Sequence, residues 1–181
     1  MLVSDDEERI QKVRFWSTQA REKARHYEHK EIGYNYRMSN ICAGIGRGQL
    51  KVIDERIQQK TEIYNRYKEA FKDISEIKMQ PVPEDTRPNH WLSAFVLDKN
   101  SKVKPNDIMD ALDTENIESR PVWKPMNMQP VFAKCDFIYL EEGKESVGQK
   151  LFENGVCLPS DTKRTEEEQK VVIDVIRRLF K

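Results

Sequence analysis

Apolar residues in the middle of the chain recur at intervals close to the period of an α-helix. They are Ile41, Ile45, Ile53, Ile57, Tyr64, Tyr67 and Phe71. Ser39 precedes them, and its hydroxyl group is of the kind that accepts a hydrogen bond from a backbone N–H of the first helical turn. The pattern therefore predicts one long helix from Ser39 to about Lys72, suited to connect two domains.

The residues before this helix predict a strand end followed directly by another helix. Met1-Leu2-Val3-Ser4 is a short apolar run with no turn before it, as at the end of a strand. Acidic residues follow, so we expect a helix capped by Ser4 or Asp5. Its apolar face would contain Ile10, Val13 and either Trp16 or Ser17.

Beyond a boundary near Asp73, short extended segments alternate with short helices. The extended segments are residues 77–82, 90–97, 118–122 and 156–158. Helices are predicted to begin near Pro105, at Ser146 and after Thr165, where Thr165 and Glu168 have the spacing of a capping box. Gly155 is the expected left-handed residue after the helix 146–154, and residues 137–140 fit either a loop or a short helix. The alternation predicts a small α/β layer domain.

Composition excludes several classes of function. The 31 basic and 31 acidic residues cancel, so the chain has no global positive field to attract nucleic acid or an anionic membrane. Three widely spaced cysteines favour a reducing compartment over a disulfide framework or a zinc site. Apolar runs are too short to cross a bilayer, and Asp5-Asp6-Glu7-Glu8 stands where a signal peptide would be basic. We therefore expect a cytoplasmic protein.

The loop before Ser39 is a candidate anion-binding site. A helix N-terminus presents free N–H groups and a positive dipole end, and Asn35 and Arg37 add side-chain donors suited to a phosphate or a carboxylate. The glycines at positions 44, 46 and 48 suggest either a phosphate-binding loop or close approach of another backbone. Close packing, including packing against another subunit, is favoured because no strand and no phosphate-loop spacing precede them.

A second candidate site is Arg120-Pro121-Val122-Trp123-Lys124-Pro125, where prolines restrict a segment with two cations and an indole. It suits an anionic ligand with a ring to stack on, and the alternative is a rigid surface loop. His26 and His29 have a spacing that ligates metal on a helix, but solvated loop histidines are favoured and no metal is predicted. His90 is interpreted as packed structure rather than as a base.

Four ordered blocks of sequence resemble the DegT/DnrJ/EryC1/StrS family of sugar-nucleotide aminotransferases. They are Met1–Asp5, Gly33–Leu50, Arg120–Pro130, and Cys157–Ser160 followed by Thr165-Glu166-Glu167. The resemblance implies an α/β fold, the pyridoxal-phosphate-dependent transferase fold type I. It implies that residues 1–73 form the end of the large domain with the connecting helix, and that residues 74–181 form the small C-terminal domain.

The resemblance also implies a function and a set of site residues. Such enzymes use pyridoxal 5'-phosphate to move an amino group, commonly from L-glutamate, to a nucleotide-linked keto-sugar, and those acting on UDP-linked 4-keto sugars are the most similar. They work as homodimers whose Gly-Tyr-Asn-Tyr-Arg loop reaches the partner's cofactor. Asn35 and Arg37 would bind cofactor, with Arg37 also meeting anionic groups of the substrate. The substrate-binding residues would be Tyr36, Arg120, Trp123, Lys124 and Asn127, the last standing where relatives often have histidine.

The resemblance covers only the C-terminal portion of such an enzyme. The lysine that forms the Schiff base would precede Met1, so no catalytic residue is assigned within the chain and we expect it to be inactive alone. The alternative is a non-catalytic interaction or dimerisation module that pairs with a separate cofactor domain or with itself.

Overall fold

The computed structural model describes residues 2–138 and 146–181. Tyr139 and Leu140, part of the segment predicted as loop or short helix, lie outside the described residues, while Phe137 and Ile138 are irregular. The chain divides into two compact units, Met1–Val52 and Ile53–Lys181. None of the helices in the described residues is long and apolar enough to cross a lipid bilayer.

The first unit contains helix α1, Glu7–Ser17, whose N-cap is Asp6 rather than Ser4 or Asp5. The Asp6 carboxylate accepts a hydrogen bond from Arg9 N at 3.0 Å. The Ser4 Oγ atom instead accepts from Asp6 N, the backbone of the N-cap residue, at 3.1 Å. The prediction of a strand end was wrong for residues 2–4, which have no strand partner in the described chain, and Met1 lies outside the described residues.

The predicted long helix is interrupted. Helix α2 spans Asn40–Leu50 and helix α3 spans Ile53–Ala70, with a turn at Lys51 and Val52. Ser39 caps α2 as predicted, since its hydroxyl accepts from Cys42 N at 3.2 Å. The three glycines at positions 44, 46 and 48 all lie within α2, and the turn follows them.

The second unit is built on a four-stranded antiparallel sheet. Its strands are β1 (Ile77–Met79), β2 (Ser93–Leu97), β3 (Arg120–Pro121) and β4 (Gly155–Leu158). Their order across the sheet is β1-β2-β4-β3, with Ile77 opposite Leu97 and Phe95 opposite Val156. The predicted strands 90–97 and 118–122 are present but shorter than predicted.

Besides α3, the described part of this unit contains the helices α4 (Pro105–Thr114), α5 (Val147–Asn154) and α6 (Glu166–Arg178). Ser146 caps α5, and the capping box of α6 is confirmed because Thr165 Oγ1 accepts from Glu168 N at 3.2 Å while Glu168 Oε2 accepts from Thr165 N at 2.8 Å. Two single-turn 3₁₀ helices, Met126–Met128 and Pro130–Phe132, follow β3.

The core of the second unit joins the sheet to α3, α4 and α6. Side chains alternate along β2, so that Ser93, Phe95 and Leu97 are buried. Phe95 is fully buried and meets the ring of Phe71 edge to face, with centroids 5.9 Å apart. The largest other fully buried side chains include Tyr67, Ile108, Leu112, Leu158 and Ile176.

Gly155 is not a left-handed cap, contrary to the prediction. Its φ of −103° and ψ of 143° are those of an extended residue, and it begins β4 directly after α5. Glycine is needed here because of close approach: a Cβ atom would lie 2.4 Å from Leu151 O and 2.5 Å from Val122 Cγ2. The structure thus requires glycine at position 155, but because a side chain would not fit there and not because the backbone is left-handed.

Candidate functional site

The Gly33–Met38 loop is held in place by backbone hydrogen bonds to the end of α1. Tyr34 N donates to Trp16 O at 2.7 Å, and Tyr36 N donates to Ser17 O at 3.0 Å. Thr18 and Asn35 form an isolated antiparallel bridge. The loop is therefore ordered by main-chain pairing rather than by burial of its side chains.

Gly33 allows this pairing because another backbone lies against it. A Cβ atom on Gly33 would lie 2.2 Å from Ala20 N. Gln19 and Ala20 have positive φ angles of 71° and 49°, which are uncommon for residues with side chains and are often held at functional sites. A larger residue at position 33 would displace the loop that carries Asn35.

Asn35 lines an open cleft of about 680 Å³ in the first unit, called here the Asn35 cleft. Its other lining residues include Gln19, Tyr27, His29, Lys30 and Glu31. The His29 Nδ1 atom is 2.9 Å from Gln19 O, so this nitrogen donates to the carbonyl. The Asn35 amide and the Lys30 ammonium group are donors that suit an anion such as a phosphate.

Tyr36 and Arg37 lie outside that cleft. Tyr36 is 78% exposed, and its ring stacks on Tyr34 with centroids 5.1 Å apart. Arg37 lines a separate, smaller cleft of about 270 Å³ beside α1, together with Ile10 and Val13. The structure therefore brings Asn35 and Arg37 onto one loop but not into one cleft of this chain.

Three of the predicted substrate-binding residues share one cleft in the second unit. Arg120, Trp123 and Lys124 line a space of about 520 Å³, called here the Trp123 cleft. Its walls come from β3, from the end of β4 and from Phe152 of α5. Asn127 is half-buried in the 3₁₀ turn Met126–Met128 and is not part of this lining.

The charges of the Trp123 cleft are predominantly those of its two cations. Arg120 Nε donates to Glu118 Oε1 at 2.8 Å, which partly neutralises the guanidinium group. Lys124 Nζ lies 5.9 Å from the centroid of the Phe152 ring. Burial raises the pKa of the Cys157 thiol in the cleft wall, so it remains an uncharged thiol at neutral pH. The cleft can bind an anion, and Lys124 is the main cation available to it.

Trp91 is a cleft residue that the sequence interpretation did not single out. Its indole stacks on that of Trp123 with ring centroids 5.8 Å apart and an interplanar angle of 30°. The neighbouring His90 packs on Tyr64 with centroids 4.2 Å apart, in agreement with its interpretation as packed structure. The sequence does not indicate whether an aromatic residue beside a strand is exposed. The contact between Trp91 and Trp123 forms only when the sheet is folded.

The family pattern of the DegT/DnrJ/EryC1/StrS aminotransferases matches residues 1–177. The chain belongs to this family. The Bacillus subtilis protein EpsN, which is named as a pyridoxal phosphate-dependent aminotransferase, is 47% identical over 180 residues, covering 99% of this chain and 46% of EpsN. The GDP-perosamine synthase of Vibrio cholerae is 28% identical over 182 residues, covering 99% of this chain and 48% of that enzyme. The chain thus spans about half the length of these relatives.

Solved structures of sugar aminotransferases share the fold. The pyridoxal-phosphate form of Spr1654 from Streptococcus pneumoniae superposes with a TM-score of 0.81 at 23% identity, covering 97% of this chain and 44% of that protein. PseC from Helicobacter pylori, involved in the biosynthesis of pseudoaminic acid, superposes with a TM-score of 0.79 at 20% identity, covering 98% of this chain and 47% of PseC. The fold is that of the fold type I transferases, and the cofactor of the family is pyridoxal phosphate.

Proposed function

We propose that this chain is part of an aminotransferase that moves an amino group from L-glutamate to a nucleotide-linked keto-sugar. The observation that carries the proposal is the family match over residues 1–177. Its relatives include proteins named as GDP-perosamine synthases and as a UDP-linked sugar transaminase. Pyridoxal phosphate, when bound, supplies the electron-withdrawing ring that amino transfer requires.

The donors of the Asn35 cleft fit the phosphate group of this cofactor. An amide, an imidazole and an ammonium group line it at Asn35, His29 and Lys30, and the Glu31 carboxylate, which also lines it, is paired with Lys12. In this proposal Asn35 holds the phosphate, while Tyr36 and Arg37 serve the substrate and cofactor of a shared site. The cations of the Trp123 cleft, Arg120 and Lys124, would bind the diphosphate of the sugar nucleotide, with Asn127 at its periphery.

The proposal includes a homodimer, and the surface of α2 supports it. In the part of the chain that the structure describes, no α2 residue is buried, and Ile41, Ile45 and Leu50 are 77%, 62% and 70% exposed. Apart from the backbone of the helix itself, no atom of the described residues lies within 4 Å of a Cβ position on Gly44, Gly46 or Gly48. A helix with an uncovered apolar face and small residues suits close packing against a second subunit.

The function can be tested with a chimera, because the chain aligns with EpsN over 180 residues at 47% identity. These residues would replace the matching segment of EpsN, and the purified chimera would be supplied with L-glutamate and UDP- or GDP-linked 4-keto sugars. We expect 2-oxoglutarate to form beyond one equivalent per bound pyridoxal phosphate only when the keto-sugar is present, and the isolated chain to form none. A chimera that retains pyridoxal phosphate but transfers no amino group to any of these sugars would contradict the proposal.

The role of Asn35 has its own readout, the amount of cofactor retained after gel filtration. Asn35→Ala in the chimera is expected to lower the retained pyridoxal phosphate several-fold. His26→Ala is the control, since His26 is exposed on the same unit and is not among the residues that line the Asn35 cleft. Equal retention in both variants would remove Asn35 from the cofactor site.

A second candidate function is an interaction module without catalysis of its own. The uncovered face of α2 also favours this reading. It predicts that the isolated chain binds itself or a separate cofactor domain with no glutamate-dependent turnover in any combination. Turnover by the chimera separates the two candidates.

A further inference from the structure

Two stacked tryptophans stand between two clefts of the second unit. Trp91 and Trp123 line both the Trp123 cleft and a second cleft of about 380 Å³. Their side chains are 62% and 61% exposed although they stack on one another. A contiguous exposed aromatic surface of this kind commonly marks a binding site.

The backbone before Trp91 is held in an unusual conformation. His90 has a φ of 46°, in the left-handed region that residues with side chains seldom adopt. The backbone N–H of Trp91 donates to Asn89 Oδ1 at 3.0 Å, and the His90 ring stacks on Tyr64. Strain of this kind is retained where the surrounding structure requires one orientation, often at a ligand-binding position.

The second cleft differs chemically from the Trp123 cleft. It is called here the proline cleft, because Pro81, Pro83 and Pro88 form much of its wall. The described residues that line it include no aspartate, glutamate, lysine or arginine, and burial lowers the pKa of His90 in that wall. The polar side chains available to a ligand there are uncharged ones such as Asn89 and Thr86.

The two clefts therefore offer an uncharged, ring-sized space and a cationic space on either side of one aromatic pair. A nucleoside diphosphate has the same division, with a flat uncharged base at one end and anionic phosphates at the other. Bases stack on aromatic side chains through their π-faces, whichever base is present. Lys124 supplies the cation on the phosphate side.

We propose that Trp91, together with Trp123, stacks against the base of the nucleotide-linked substrate, with the base in the proline cleft and the diphosphate directed toward Lys124 in the Trp123 cleft. This inference rests on the proposed function, and it adds a residue and an orientation to it. Trp91 is a binding residue for the nucleotide and takes no part in the amino-transfer chemistry.

The test uses nucleotide binding rather than activity. In a Trp16→Phe background the fluorescence of the full chain comes from Trp91 and Trp123, the other two of its three tryptophans. UDP and GDP are titrated separately, with inorganic diphosphate as the probe that lacks a base, and titration calorimetry supplies affinities for every variant. We expect both nucleotides to quench the emission and diphosphate to bind more weakly.

The variants separate the base from the phosphates. Trp91→Ala should weaken the binding of UDP and GDP by about ten- to hundredfold, the range expected for loss of one stacking contact. The same variant should leave the affinity for diphosphate unchanged. Trp91→Phe should restore most of the affinity, and Lys124→Ala should weaken nucleotides and diphosphate alike. Val131→Ala, 79% exposed in the same unit and outside the lining of both clefts, is the control.

Two outcomes would overturn the inference. If Trp91→Ala binds UDP and GDP as tightly as the parent while Lys124→Ala weakens them, the base does not stack on Trp91, and the proposed aminotransferase function stands. If the parent chain binds neither nucleotide, the orientation across the two clefts is wrong. The proposed function is judged independently, by 2-oxoglutarate formation in the chimera.

Discussion

The guanidinium group of Arg177 forms a bidentate ion pair with the carboxylate of Asp73, with Nη1–Oδ1 and Nη2–Oδ2 distances both of 2.7 Å. Arg177 lies in the last turn of α6, and Asp73 follows the end of α3. Arg177 Nη1 also donates to the carbonyl of Ala70, the last residue of α3. One side chain therefore joins the C-terminal end of α3 to α6.

This pairing predicts an acid-sensitive contribution to stability. Hydrogen bonding from Arg177 lowers the pKa of Asp73 from an ordinary value of 3.8 to about 2. The folded state thus favours the ionised carboxylate, and the stabilisation is present above pH 3.8 and is lost as the pH falls toward 2. Asp73→Asn should lower the urea midpoint at pH 7, and the difference from the parent should shrink in acid.

Asp85→Asn is the matched control, because Asp85 lies exposed in the turn between β1 and β2. It should leave the urea midpoint unchanged at both pH values. A deficit in Asp73→Asn that is as large at pH 2 as at pH 7 would mean that the asparagine disturbs packing rather than an ion pair.

Tyr67 provides a test of a buried hydroxyl group. The residue is fully buried, and its hydroxyl donates to Pro159 O at 2.9 Å. Burial raises the pKa of Tyr67, so the group remains a donor throughout the neutral range. Tyr67→Phe should lower the free energy of unfolding by about 1 kcal/mol, because the carbonyl of the half-buried Pro159 loses its donor.

Chemical denaturation at neutral pH measures this loss. Tyr27→Phe is the control, because Tyr27 is 73% exposed and its ring contact with Arg21 is kept by phenylalanine. The control should be neutral within error. If the two variants had equal effects, the hydrogen bond to Pro159 would carry none of the stability.

The capping box of α6 is expected to stabilise the second unit measurably. Thr165→Ala removes the acceptor of the Glu168 N–H and should cost about 1 kcal/mol of unfolding free energy. Thr165→Ser keeps the hydroxyl and should retain most of the stability. The comparison is made by urea denaturation, and an alanine variant as stable as the serine variant would show that solvent replaces the cap without cost.

Local signals predicted much of the fold. The hydroxyl caps at Ser39 and Thr165 are each set by residues within one turn, and both are confirmed. The helix predicted after Thr165 is present as α6, and its apolar residues Val172, Val175 and Ile176 recur at helical spacing and are buried. Such features need no knowledge of the rest of the molecule, which is why periodicity and cap chemistry were sufficient.

Features that depend on neighbours distant in sequence were not predicted. Gly155 was assigned to a cap because glycine after a helix usually has that role, whereas Val122 and Leu151 exclude a side chain there. Trp91 was not recognised because its contact with Trp123 requires β2, β4 and β3 to be neighbours in the sheet. Arg120, Trp123 and Lys124 share a cleft because they are adjacent in one short segment. The roles assigned to these residues remain predictions.

The glycines of α2 give the last prediction, since they were interpreted as sites of close packing. Gly46 has open space around its Cβ position in this chain. Gly46→Ala should therefore raise the unfolding free energy of the dissociated chain by up to about 1 kcal/mol, through helix propensity alone.

If a second copy packs closely there, as the proposed dimer requires, the same methyl group should weaken self-association. Denaturation at low concentration and sedimentation equilibrium measure the two effects separately, and Ala43→Gly, in the same helix, should lower the stability. Gly46→Ala with unchanged self-association would remove this face of α2 from any interface between copies.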